Sequence, residues 1–335
     1  MSEVGDARRE PDAEPRERTA LEQGTSPTCA GFVALIGRPN AGKSTLLNAL
    51  VGEHLAAVSA KAQTTRHRIP GFRTDGSTQY VFVDTPGFLD PAYPLQARML
   101  ETALNALEGV DVACWLVDHD EPVAREEALL RKLAEPRSDG GGGERGSENA
   151  PISLFLLLTK ADQVPAAKLD RREDTWGGLG VWAGRFRISA KTGEGLEPLL
   201  GAIRERLPEQ PFFYDPEDLT DLNLRFLAAE LVREACYEEL GAEIPYSVHV
   251  EVTEWREPAG ESDKTLIRAT VYVERESQKG IVIGESGRKL SAIGRRARPR
   301  IEALVSGPVY LELWVKVRPK WSRRDRDLEH FGYKR

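Results

Sequence analysis

The sequence predicts an α/β chain, a doubly wound and largely parallel sheet followed by a smaller α+β domain, on three observations. From Gly31 onward short apolar runs alternate with amphipathic stretches; a proline-rich acidic segment then breaks the pattern; beyond it the order reads α-β-β-α-α-β. The apolar runs are GFVALIG from Gly31, YVFVD from Tyr80, VACWLVD from Val112 and SLFLLLT from Ser153, and a helix-like run from Lys43 to Gly52 follows the first. Strands covered on both faces by crossover helices read as such continuous apolar runs. The break is PEQPFFYDPEDLTD, residues 208–221, where three prolines interrupt a helix that ends near Leu207. After it come a helix from Leu222 to Glu239, strands from Ser247 to Trp255 and Thr265 to Glu274, two helices flanking Gly284–Gly287, and a last strand from Val309 to Val317.

At 335 residues and 40% hydrophobic content the chain can bury two cores. The expected organisation is a disordered tail at 1–28, rich in Glu, Arg, Pro and Ala, then a first domain at 29–207 and a linker at 208–221. A second domain at 222–320 and a C-terminal tail at 321–335 complete it. PRSDGGGGERGSENA, residues 136–150, has the composition of a surface excursion. The longest apolar runs fall short of the roughly 18 to 20 residues that cross a bilayer, and the N-terminus has no signal-peptide pattern. The expectation is a cytoplasmic protein. Cys29, Cys114 and Cys236 are too far apart to nucleate a zinc site and read as small buried residues. Net charge is −7, yet residues 271–335 carry sixteen Lys/Arg against eight Asp/Glu, which leaves the basic end at +8 and the rest at −15. Such asymmetry suggests that one end handles a polyanion.

GRPNAGKS follows the first strand and opens a helix, the context a phosphate-binding loop requires. Its residues are Gly37, Arg38, Pro39, Asn40, Ala41, Gly42, Lys43 and Ser44, with Thr45 next in the helix. The two glycines let main-chain N–H groups wrap a phosphate, Lys43 reaches the outer phosphates, Ser44 offers a hydroxyl to magnesium, and the helix N-terminus adds favourable field. DTPG, Asp84, Thr85, Pro86 and Gly87, closes the YVFV strand, so a carboxylate emerges beside the same phosphates. Asp84 can hold magnesium through water and Gly87 can sense the terminal phosphate. TKAD, Thr159, Lys160, Ala161 and Asp162, selects the base. An ionised carboxylate only accepts, so Asp162 can take guanine's ring N–H and exocyclic amine, a pair that adenine lacks. Lys160 would lay its stem over the purine, and Ser189, Ala190 and Lys191 would supply an amide to the guanine carbonyl.

These elements resemble the guanine-nucleotide domain of the translation-factor-like GTPases over Gly31 to Leu207, with Thr159 where that family usually has Asn. Phe88 stands where Ras-like enzymes place a water-orienting glutamine, so a different group must position the water. In similar GTPases the asparagine matched by Asn40 helps hold a potassium ion that offsets transition-state charge. KAQTTRHR, residues 61–68, resembles the first switch loop of the Era-type GTPases. Gln63, Thr64, Thr65, Arg66 and His67 lie in it, and Thr65, or its neighbour Thr64, would meet magnesium when the third phosphate is present. The magnesium ligands expected are Ser44, Thr65 and Asp84.

In the second domain VERESQKGIVIGESGRKLSAIG carries a GxxG turn, Gly284, Glu285, Ser286 and Gly287, ahead of a basic helix. Within α-β-β-α-α-β this resembles a type II KH domain, which clamps about four single-stranded nucleotides. Arg288, Lys289, Arg295, Arg296 and Arg298 would contact phosphates; Glu285 is an acid where KH turns usually carry a base. RFLAAELVREACYEELGAEIPYSV, VERESQKG and VYLELWVKV extend the resemblance to the Era-type GTPases over most of the chain. That resemblance implies a slow GTPase that binds the 3′ region of 16S rRNA on the 30S subunit and assists its assembly. It further implies a monomer using Mg2+ and K+, with no DNA partner and with peripheral contact at the inner face of the membrane. A potassium-activated GTPase of tRNA modification shares the P-loop and DTPG, but its folate-binding domain and C-terminal catalytic cysteine are not seen here. A pure binding module, whose KH-like part contacts protein, is the other alternative, and Glu285 is its support.

Overall fold

The computed structural model describes residues 27–59, 61–118, 127–135, 152–241, 243–260 and 263–333. The expected disordered tail, up to Ser26, and the glycine-rich segment lie outside these residues.

The first domain is a six-stranded sheet in the order β2-β3-β1-β4-β5-β6. Its strands are β1 (Cys29–Gly37), β2 (Ile69–Asp75), β3 (Thr78–Asp84), β4 (Val112–Val117), β5 (Ser153–Leu158) and β6 (Gly184–Arg187). All neighbours pair in parallel except β2 and β3. β2 is the antiparallel edge that the apolar runs did not announce. Gly76, left-handed, and Ser77 turn the chain directly from β2 into β3, as a tight hairpin requires. Its helices are α1 (Lys43–Val51), α2 (Pro94–Asn105), α3 (Glu127–Ala134), α4 (Ala166–Gly177) and α5 (Leu196–Arg204). Leu46, Leu47 and Leu50 of α1 join Leu199, Leu200 and Ile203 of α5 on one face of the sheet. On the other face, Leu130 of α3 and Leu169 and Trp176 of α4 pack around Trp115. This two-sided cover fixes every parallel strand's C-terminal end at one rim, where ligands of such sheets bind.

Residues 208–221, expected as a linker, are a strap on the first domain. Glu209 bridges Cys29 antiparallel, and Thr28, the last residue of the expected tail, accepts from Gln210 through its carbonyl. Buried Gln79 takes the N–H groups of Phe213 and Tyr214 at 2.8 and 3.1 Å, Tyr214 stacks on Phe72 at 3.8 Å, and Phe72 N donates to Leu219 O. Proline ends the helix, but the edge of β2 and the side chain of Gln79 give the polar main chain that follows partners to pair with.

The second domain has helices α6 (Leu224–Glu239), α7 (Glu276–Ile283) and α8 (Arg288–Val305) on one face of a three-stranded sheet. Its strands are β7 (His249–Arg256), β8 (Thr265–Val273) and β9 (Val309–Val317), antiparallel between β7 and β8, parallel between β8 and β9. The order is therefore α-β-β-α-α-β. Its core is Val232, Ala235 and Cys236 of α6, Ile293, Ala297 and Ile301 of α8, and Ile267, Ala269 and Val271 of β8.

The C-terminal segment is not a loose tail. Trp321 and the short helix α9 (Asp325–His330) bury Trp321, Leu328, Phe331 and Tyr333 against Leu95 and Met99 of the first domain and Tyr272 of the second. Four large apolar side chains within thirteen residues explain why it folds back. Cys114 and Cys236 are buried, and burial pushes both thiols up; Cys29 is half-buried.

Candidate nucleotide and RNA sites

The turn between β1 and α1 is shaped by Gly37 (φ 144°), Asn40 (φ 67°) and Gly42 (φ 95°). A side chain at Gly37 would stand 2.5 Å from Leu116 O, so only glycine fits there. Lys43, nearly buried, donates to Gly37 O at 3.2 Å and Arg38 O at 2.8 Å, curled back across the cradle it would share with a phosphate. DTPG arrives at the end of β3 against this loop. Thr85 is tied to Leu35 O, Phe88 N donates to Gly37 O, and a Cβ on Gly87 would lie 2.4 Å from Pro39 N. Gly87 thus lets the switch turn touch the phosphate loop. The Phe88 ring stacks on Trp115 at 5.6 Å, a place from which it cannot orient water.

Three oxygens from distant segments converge here. Ser44 Oγ lies 2.6 Å from Thr65 Oγ1 and donates to Asp84 Oδ2 at 2.6 Å, while Thr65 Oγ1 donates to the same atom at 3.0 Å. Asp84 is fully buried, and its other carboxylate oxygen, Oδ1, has no hydrogen-bond partner among the described residues. Burial pushes the Asp84 carboxyl up, against the pull of Lys43 and the two hydroxyls. A buried anion with an orphaned oxygen and two hydroxyls is the donor set a magnesium ion takes, so the residues fit that ion. Of the two threonines expected in the switch, the structure brings Thr65 to this point and turns Thr64 to Lys61 O.

At the base end, Thr159 donates to Val117 O from both its N–H and its hydroxyl, and its Cβ faces Gly42. Its hydroxyl is therefore committed to β4 rather than to the phosphate loop. Lys160 is left-handed (φ 56°) and pairs with Asp118 at 2.6 Å, a contact the sequence reading missed. The only signal for Asp118 was its place at the end of an apolar strand. Ala161 N donates to Ile188 O, which draws the Asp162 turn beside buried Ser189; Asp162 and Lys191 are exposed and Ala190 is half-buried.

The switch loop is held by the second domain. Arg66, fully buried, donates to Val248 O (2.7 Å), the Tyr237 hydroxyl (3.0 Å), Pro245 O (3.1 Å) and Tyr246 O (3.0 Å). His67 stacks on Tyr333 at 4.5 Å, and Glu234 takes Val58 N, His54 and Arg300. Sequence reasoning missed this junction, since nothing in residues 54–67 says that another domain caps them.

Burial pushes the His67 imidazole down to about 4, with Glu230 opposing and Arg233 and Arg66 adding to the shift, and burial holds His249 well below its ordinary value. The unfolded chain titrates near 6.5. Between about pH 4 and 6.5 it binds protons that the folded junction refuses, so stability falls as pH falls through that window, by about 1 kcal/mol per pH unit for each histidine. Melting temperatures measured from pH 7 to 5 should therefore decline steadily, and less steeply in a His67→Phe variant. Equal slopes would show that His67 does not carry the effect.

The GxxG turn caps α8. Gly284 (φ 72°), Ser286 (φ 51°) and Gly287 (φ 79°) are all left-handed, and a Cβ at Gly284 would lie 2.9 Å from Lys289 Cβ. Glu285 pairs with Arg288, so the acid in the turn is matched inside the turn itself. The basic helix is less free than its sequence suggested. Arg296, half exposed, faces α6 and pairs with Glu239 at 2.6 Å and with Glu238. Arg295 reaches Ser291 of its own helix, while Lys289 and Arg298 point to solvent.

Two family models match the chain, one described as a 50S ribosome-binding GTPase over residues 32–140 and one as a KH domain over residues 243–322. GTPase Era of Carboxydothermus hydrogenoformans is 40% identical over 308 residues, covering 91% of this chain and 97% of the relative. GTPase Era of Geobacter sp. strain M21 is 38% identical over 304 residues, with 91% and 97% covered. A crystal structure of Era with MgGDPNP and nucleotides 1506–1542 of 16S ribosomal RNA superposes with a TM-score of 0.83 at 34% identity, over 92% of this chain and all of that one. An Aquifex aeolicus Era variant bound to GDP·AlF4− superposes with a TM-score of 0.81, also at 34% identity and with the same coverage.

Proposed function

The chain belongs to the Era family of GTPases, and from that premise we propose that its GTP switch controls how the KH domain holds the 3′ region of 16S rRNA during 30S subunit assembly and rRNA processing. It binds GTP and hydrolyses it to GDP and phosphate. The observation that carries the switch is the convergence of Ser44, Thr65 and Asp84 on one point, with Arg66 next in sequence buried in the second domain.

In this reading the main-chain N–H groups of the loop from Asn40 to Ser44 cradle the outer phosphates and Lys43 leaves its two carbonyls for them. Gly87 reports the third phosphate, and Asp162 and Ser189–Lys191 select guanine. Magnesium, held by Ser44, Thr65 and Asp84, supplies charge compensation on the phosphoryl oxygens. Phe88 supplies no base, so positioning of the reacting groups carries the chemistry and a slow intrinsic rate follows. Asn40, exposed and left-handed at the mouth of the loop, is our choice for a potassium ligand; equal hydrolysis in KCl and NaCl would remove that role.

On the RNA side, Gly284–Gly287 admits the strand's backbone closely, and Arg288, Lys289, Arg295 and Arg298 are the cations we assign to it. Location in the cytoplasm as a monomer, with peripheral contact at the inner face of the membrane, rests on the family resemblance; among the described residues no helix is long and apolar enough to cross a membrane.

The test is binding of the full-length protein to a single strand copying the 3′ end of 16S rRNA, with GTP analogue, with GDP and with neither. Binding should be tightest with the analogue and weaken with salt. Glu285→Lys, which also frees Arg288, should tighten it several-fold and steepen the slope of log K against log salt by about one. No binding in any nucleotide state would remove the rRNA reading and favour a protein partner for the KH domain.

A further inference from the structure

Tyr237 belongs to α6 of the second domain, yet its polar atoms serve the switch loop of the first. The side chain is fully buried. Its hydroxyl accepts from Arg66 Nη2 at 3.0 Å and donates to the main-chain oxygen of Gln63 at 3.0 Å, and its own carbonyl takes the Lys61 ammonium. Lys61 also reaches Leu240 O at 2.5 Å.

Gln63 and Arg66 enclose only Thr64 and Thr65. One hydroxyl therefore grips both ends of the two-residue span that carries the expected magnesium ligand. Gln63 is left-handed (φ 61°), a conformation a glutamine does not choose by itself, and its carbonyl is held in that pose by Tyr237. Thr64 closes the same turn through Lys61 O. With both ends fixed, Thr65 Oγ1 is delivered to Ser44 and Asp84 at 2.6 and 3.0 Å.

We propose that Tyr237 is a positioning residue of the GTPase site: the second domain sets in advance the place where Thr65 meets the metal, so part of the magnesium site is built by the RNA-binding half of the chain. This rests on the reading of Thr65 as a magnesium ligand. It separates Thr65 from Ser44 and Asp84, which the first domain positions alone.

The experiment compares the full-length protein with Tyr237→Phe, which deletes only the hydroxyl, and with Thr65→Ala. Two quantities are read: hydrogen exchange of the amides of residues 62–67 without nucleotide, and the magnesium concentration for half-maximal GTP hydrolysis alongside GDP affinity. Losing one positioned hydrogen bond corresponds to about a 5- to 10-fold change. Tyr237→Phe should speed exchange by about that factor and raise the magnesium requirement in the same direction as Thr65→Ala. GDP affinity should stay within about twofold, because Thr65 acts when the third phosphate is present. Arg66→Lys, which keeps the charge but not the fork, should move both readouts the same way and stands in should Tyr237→Phe fail to fold. Wild-type exchange and magnesium dependence in Tyr237→Phe, beside a shifted Thr65→Ala, would overturn the role of Tyr237 alone. Faster exchange with unchanged magnesium dependence would reduce the residue to packing. A Thr65→Ala enzyme with unchanged magnesium dependence would overturn the Thr65 reading and this inference with it.

Discussion

Lys43→Ala is expected to fold and to lose GTP hydrolysis by a factor on the order of 10²–10³, the usual cost of removing one preorganised donor from a developing oxyanion. Lys43 is nearly buried at the start of α1, and its ammonium donates to Gly37 O and Arg38 O, two carbonyls at the rim of the loop. Those carbonyls can turn to water when the lysine is gone, whereas the packing of α1 rests on Leu46, Leu47 and Leu50. The fold therefore loses little. The chemistry loses the cation we assign to the phosphates, which also offsets buried Asp84. Single-turnover phosphate release gives the rate and a thermal melt gives the stability. Hydrolysis within about threefold of wild type would mean that the phosphates do not lie in the Gly37–Ser44 cradle, since a donor there is worth far more.

Arg66→Ala is expected to uncouple the two domains. Its guanidinium satisfies three carbonyls and the Tyr237 hydroxyl in a buried junction, and it lies over the Trp321 ring at 5.9 Å. Removing it strands those acceptors, at roughly 3 kcal/mol, comparable to breaking a buried pair. For a domain pair of this size that corresponds to about 6 to 12 °C in the first melting transition. Calorimetry should show the single transition splitting into two. Proteolysis should open the 208–221 strap, which Arg66 does not touch, only after the junction has parted. A single transition displaced by less than about 2 °C would contradict the view that Arg66 holds the domains together.

The chemistry of the nucleotide site was legible in the sequence because it is local. Gly37 and Gly42 bracket one turn, Asp84–Gly87 close one strand, and Thr159–Asp162 close another; each motif needs only its own strand end to be in place. The apolar runs announced β1, β3, β4 and β5, because a strand covered on both faces has no polar alternation to obscure it, whereas β2 and β6 at the sheet's two edges gave no such run. The GxxG turn was legible for the same reason, as three left-handed positions within four residues call for glycine at two of them.

What escaped the sequence depends on pairings between residues far apart in the chain. Residues 208–221 looked like a linker because proline and acid mark the end of a helix, and nothing local shows that Gln79 waits for their main chain. Residues 321–333 looked like a tail because a segment this short folds only when two domains offer it a surface, here Arg98, which bonds Tyr333 O and Asp325, and Tyr272. The pairing of Arg296 with Glu238 and Glu239 of α6 could not be read from the basic run alone, because it depends on how α6 and α8 pack. The sequence by itself determined the two domains, the nucleotide and the GxxG turn, since short-range backbone and side-chain chemistry specifies all three. The sequence also singled out Thr65 for the metal, but only the tertiary structure decided that Arg66 beside it is sealed into the second domain. A buried charge takes whichever distant acceptors the packing brings to it.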